Sequence, residues 1–87
     1  MVRENDYIAV FHSIHRVMKA EKILKGAGVA ILLIPAPRQI GSDCGLALRY
    51  AAEDAEQVKA LLLEQELPPA EVYQYQGGNF TLKEIFP

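Results

Sequence analysis

Cys44 is the single cysteine of this 87-residue chain. It lies in the segment Pro35-Ala36-Pro37-Arg38-Gln39-Ile40-Gly41-Ser42-Asp43-Cys44-Gly45. This stretch fits neither a helix nor a strand, and apolar runs bound it on both sides, Val29–Ile34 and Leu46–Leu48. A structured loop between two buried strands, ending in a thiol beside a glycine, is a natural seat for chemistry. An unassisted thiol is mostly protonated at neutral pH, and the anion is the nucleophile. A helix N-terminus, an arginine or a protonated histidine favours that anion. The chain offers all three: His12, Ser13 and His15 around a helix start, and Arg38 on the loop. Asp43 opposes them unless it pairs with Arg38. Gly41 and Gly45 leave room for another molecule to approach the backbone. The N–H groups of Ser42 to Gly45 are a candidate anion nest.

Other chemistries fit less well. His12, His15, Asp43 and Cys44 are of metal-ligating types. However, a structural zinc site needs four well-placed ligands, and two histidines at a helix start are ordinarily a cap neighbour and a solvated residue. No metal or cofactor is expected. The chain has no paired-carboxylate motif, no phosphate loop and no recognisable triad. A carrier or binding protein is expected rather than a turnover enzyme.

The elements that position these residues follow from periodicity. Tyr7–Phe11 reads as a strand. Ser13 caps a helix whose stripe is Ile14, Val17, Ala20, Leu24 and Ala27, stopped by Gly26 and Gly28. Val29–Ile34 reads as a second strand ended by Pro35, and Gly45–Tyr50 as a third. A second helix runs from Glu53 to Glu66. It buries Ala55, Val58, Leu61 and Leu62, carries acids in its first turn, and stops before Pro68-Pro69. Val72–Gln76 reads as a fourth strand. Gly77-Gly78 makes a tight turn, and residues 78–87 form an edge strand or a tail.

One domain of residues 1–87 is expected, with an α+β, ferredoxin-like βαββαβ sandwich: an antiparallel sheet with two helices on one face. Strand 3 then lies between strands 1 and 2, antiparallel to both. The C-terminal ends of strands 1 and 2 share one sheet edge. That topology gathers His12, Ser13, His15, Arg38 and Cys44 there.

Composition limits the partners. The formal charge is -2 and the hydrophobic share is 51%. Basic residues are spread along the chain, which argues against nucleic acid and anionic membranes. The first residues hold no apolar signal stretch and no run approaches a membrane span, so a cytoplasmic location is expected. Tyr73 and Tyr75 alternate on one strand, and the near-continuous apolar runs imply that both sheet faces are buried. A second copy of the chain is the expected cover, hence a homodimer.

The residues Val10-Phe11-His12-Ser13, the helical Val17-Met18-Lys19-Ala20-Glu21, and above all Ile34-Pro35-Ala36-Pro37-Arg38 followed by Ser42-Asp43-Cys44-Gly45-Leu46-Ala47-Leu48 resemble the selenium/sulfur carrier-like proteins. The resemblance runs through strand 4 and is strongest from Phe11 to Leu48. It implies a ferredoxin-like fold and a Cys44 that holds sulfur or selenium as a persulfide or selenopersulfide, working between donor and acceptor proteins. The family pattern places threonine between the prolines and serine before Ser42, whereas this chain has Ala36 and Gly41. Two other readings stand beside the carrier. One is a small-ligand or anion-binding regulatory module built on Arg38, the loop N–H groups and the helix start. The other is a dimeric assembly subunit without chemistry.

Overall fold

The computed structural model describes residues 2–86. Five strands and two helices form an α+β fold: β1 (Tyr7–Val10), α1 (Ile14–Gly26), β2 (Leu32–Pro35), β3 (Leu46–Tyr50), α2 (Ala55–Glu64), β4 (Glu71–Gln76) and β5 (Asn79–Ile85). A single 3-10 turn, Ala52–Asp54, leads into α2. The sheet order is β2-β3-β1-β4-β5, with every neighbouring pair antiparallel. β3 therefore lies between β1 and β2, as the chain order implies. The last residues form an edge strand. Gly77 and Gly78 make its hairpin turn at φ 59 and 82, the positive angles that a two-residue turn of this hand needs.

Side chains alternate between the two faces of each strand. On one face Ala9, Leu48, Tyr50 and Val72 pack with Val17, Ala20 and Leu24 of α1 and with Val58 and Leu62 of α2. Both helices thus share one layer. On the other face Ile8, Val10, Ile34 and Ala47 are buried beneath Val2, Ala36, Ile40, Tyr73 and Phe80. This face is covered as the apolar runs imply, but the cover over its centre comes from the same chain, so burial there does not require a second copy. Asp6 anchors the approach to β1. Its carboxylate accepts from the Arg3 N–H at 2.8 Å and from Arg49 Nη1 at 2.9 Å.

Two helix ends correct the boundaries expected from periodicity. After α1, the Val29 N–H reaches back to the Leu24 carbonyl (3.0 Å) and the Gly28 N–H to that of Lys25 (3.0 Å). This is a Schellman closure with Gly28 at φ +82 and a Val29–Leu24 core contact. It consumes the Val29 N–H, so β2 begins at Leu32 rather than Val29. Val29 and Ile31 are still buried. Ile14 was expected in the buried stripe but is 52% exposed, because it stands at the first position of α1, past the end of the sheet. Ala27 is the exposed C-cap of α1. α2 closes in the same way two residues before its expected end: the Leu67 N–H bonds to the Leu62 carbonyl at 2.8 Å and the Glu66 N–H to that of Leu63 at 3.0 Å. Here the left-handed position, φ 54, falls on Glu66.

Glu66 pays a steric cost that glycine avoids. Glu66→Gly is expected to raise the unfolding free energy by about 1 kcal/mol in urea denaturation, and no gain at all would show that the position is relaxed. Burial, followed by the charges of Tyr7 and Glu84, pushes the Tyr50 hydroxyl well above its ordinary value of 10.0. Above pH 10.0 the unfolded chain releases this proton while the native chain keeps it. Stability is therefore full below that pH and falls as pH rises toward the folded value. Tyr50→Phe is expected to make this alkaline decline shallower in pH-dependent denaturation.

Candidate functional site

The loop 36–45 joins β2 to β3 and is closed at its base by the Ala36 N–H bonding to the Gly45 carbonyl at 2.9 Å. It has two halves. In the first, the N–H groups of Ile40 and Gly41 both bond to the Pro37 carbonyl at 3.0 Å. Pro37 pre-sets the turn, and Gly41 ends it at φ +76. The second is a turn closed by the Gly45 N–H on the Ser42 carbonyl at 3.1 Å, with Gly45 at φ +75. The departure at position 41 thus has a local reason: glycine takes this angle without strain. Ala36 suits its own position, packing with the apolar cluster on the sheet face away from the helices.

The two halves grip opposite faces of the sheet. Ala36 and Ile40 join the cluster on the face away from the helices, while Cys44 packs against the helix-side core. The thiol is half-buried. Its Sγ lies 3.1 Å from the Phe11 carbonyl, 3.6 Å from the Leu46 carbonyl and 3.4 Å from Ser42 Oγ. The Ser42 hydroxyl donates to the Phe11 carbonyl at 2.9 Å and also lies 3.3 Å from that of Leu46. Two carbonyls where β1 ends and β3 begins therefore hold both the hydroxyl and the thiol. Of the groups bonded to Sγ, Ser42 alone can donate to it. If the sulfur becomes an anion, its S–H bond to Phe11 is lost. Rotating the hydroxyl from the carbonyl toward sulfur then gives the anion a charge-assisted bond, at the cost of the last donor to the Phe11 carbonyl.

His12 braces the same turn. Its Nδ1 accepts the Asp43 N–H at 3.3 Å and stands 3.8 Å from Asp43 Oδ2. Acceptance at Nδ1 places the neutral ring's proton on Nε2. Ser13 caps α1 by accepting the Arg16 N–H at 3.4 Å. Contacts therefore link Cys44, Ser42, Asp43, Gly45 and His12, whereas the Ser13 side chain turns to its own helix. Arg38 and His15 do not join them. Arg38 is exposed beside a hollow on the opposite face, with Val2, Tyr75 and Phe80, and makes no ion pair with Asp43 among the described residues. The His15 side chain is exposed on α1, with no hydrogen bond or ion pair among the described residues. The expected anion nest is partly filled, since the Asp43 N–H is taken by His12 and that of Gly45 by Ser42. Among the described residues, no group of three or more His, Cys, Asp or Glu side chains is placed to hold a metal ion. No helix among them is long and apolar enough to cross a membrane. The carbonyls of Phe11 and Leu46 had no side-chain signal by which a sequence reading could find them.

The sequence model of the family described as "Putative Se/S carrier protein-like" matches residues 6–74, from the start of β1 into β4, and the chain belongs to that family. No curated protein and no solved structure matches the chain.

Ser42→Ala removes the hydroxyl that ties the thiol turn to β1. The expected cost is about 1–2 kcal/mol in denaturant unfolding, with faster amide exchange confined to residues 42–45. Unchanged exchange there would mean that the turn is held by other contacts.

Proposed function

We propose that this member of the Se/S carrier-like family carries a sulfur or selenium atom on Cys44 between a donor and an acceptor protein in the reducing cytoplasm, on a ferredoxin-like scaffold. The observation that carries the reading is the placement of Cys44: a partly buried residue on a braced turn, its thiol 3.4 Å from a hydroxyl able to donate to its anion. The element order β-α-β-β-α-β and a β3 paired with both β1 and β2 support the scaffold assignment.

Loading is a thiol exchange. The Cys44 thiol gives its proton to solvent. The thiolate attacks the terminal sulfur of a donor persulfide, and its electron pair forms the new S–S bond. The donor's S–S bond breaks, and its pair leaves as the donor thiolate. No external oxidant is consumed. Unloading is the same step run toward an acceptor thiol. Selenium follows the same path through a selenopersulfide. Ser42 holds the anion as its S–H contact to Phe11 is lost, and His12 keeps the turn in place through the Asp43 N–H. The anion-binding alternative has less support, because Arg38 stands on the other face and two loop N–H groups are already bonded.

Incubation with a small-molecule persulfide is expected to add the mass of one sulfur atom, removable by excess thiol. Cys44→Ser is expected to take up none. Ser42→Ala is expected to load about tenfold more slowly. Arg38→Ala is expected to load at the wild-type rate. Failure of the wild-type protein to load, or equal uptake by Cys44→Ser, overturns the carrier reading. Slow loading by Arg38→Ala would return the arginine to the thiol's side.

A further inference from the structure

A hollow of about 270 Å³ opens between α2 and the β4–β5 end of the sheet, away from Cys44. A dry cavity of about 150 Å³ holds benzene, so this space admits a ring with a short side arm. Val58 and Leu62 of α2, with Val72, form apolar walls. Its floor is aromatic: Tyr7 and Tyr50 stack with centroids 5.8 Å apart and planes at 21°.

Tyr50 points to an occupant. It is only 3% exposed, yet its hydroxyl has no hydrogen-bond partner among the described residues. A buried tyrosine hydroxyl normally finds one. Among the described residues that hydroxyl is left without a partner on a side chain that lines the hollow.

The rim carries charge. Lys59 and Glu84 close from α2 to β5 at 2.8 Å, which neutralises both. Lys83 also lines the hollow, sits where the β4–β5 register shifts, and has no ion pair among the described residues. Glu56, on the α2 side, disfavours a ligand with more than one negative charge. We propose that this hollow binds a small monocarboxylic acid with an aromatic body. The ring packs against the partly exposed Tyr7, the carboxylate meets Lys83, and the Tyr50 hydroxyl donates to the ligand.

The test is an amide-shift titration of the whole protein with three probes: phenylacetate, 2-phenylethanol and acetate. Phenylacetate is expected to give saturable shifts centred on Tyr50, Val58, Val72 and Lys83. 2-Phenylethanol, which lacks the charge, and acetate, which lacks the ring, are expected to bind more weakly. Lys83→Met alters an exposed side chain and is expected to weaken phenylacetate about fivefold without changing 2-phenylethanol. Tyr50→Phe keeps the ring and is expected to weaken phenylacetate. Three results overturn the proposal: no saturable shifts with phenylacetate, shifts centred elsewhere, or unchanged phenylacetate affinity in Lys83→Met. Sulfur loading by Cys44 is independent of all three.

Discussion

The backbone carbonyl of Phe11 is the point on which the thiol site depends. β1 is the middle strand of five, and Ile8 to Phe11 are essentially without solvent exposure. As the chain leaves β1 for α1, this carbonyl passes out of the ladder into a place where an unpaired polar group is costly. Ser42 and Cys44 both donate to it. Satisfying one carbonyl therefore fixes a loop more than thirty residues away in sequence. The sulfur is held by the same need that completes the sheet.

The loop itself works as a clamp over the sheet edge. Its proline-led half is anchored by Ala36 and Ile40 in the apolar cluster of the face away from the helices, and its second half by Cys44 on the helix side. Two glycines at positive φ, Gly41 and Gly45, let the chain reverse between these anchors. Rigidity near the thiol comes from this double anchoring and from the His12–Asp43 contact. Cys44 stays only partly buried, on the turn rather than within a strand.

Much of this was legible in the residues. Alternation and helical spacing located the first four strands and both helices, because apolar periodicity reports which face meets a core. The glycine pair signalled the last turn, but the residues after it fitted a tail as well as an edge strand. Cys44 stood out because it lies in a proline- and glycine-bounded loop with a family resemblance, although a small buried hydrophobe there would be ordinary. The misses have physical causes. Val29–Ile31 has strand composition, but the closure of α1 uses its first N–H, and hydrogen bonding outweighs propensity. Glu66 gives no sign in its side chain of a left-handed backbone. Arg38 was expected beside Cys44 because both occupy one loop, yet a loop that straddles an edge puts neighbours on opposite faces. The oxygens around the sulfur belong to the backbone, which every residue shares.

β5 lies beyond the residues that the family model matches. Without it, β4 would be the margin of the sheet, a strand of alternating tyrosines with its backbone donors and acceptors open. Such a margin is a template for unwanted pairing with other chains. The strand that replaces it is far less inviting. Its ladder is broken by a register shift, and it carries Lys83 and Glu84 at that point. Both features hinder a further strand from adding on. The C-terminal hairpin therefore moves the margin of the sheet from an alternating strand to an irregular one with charges at its break.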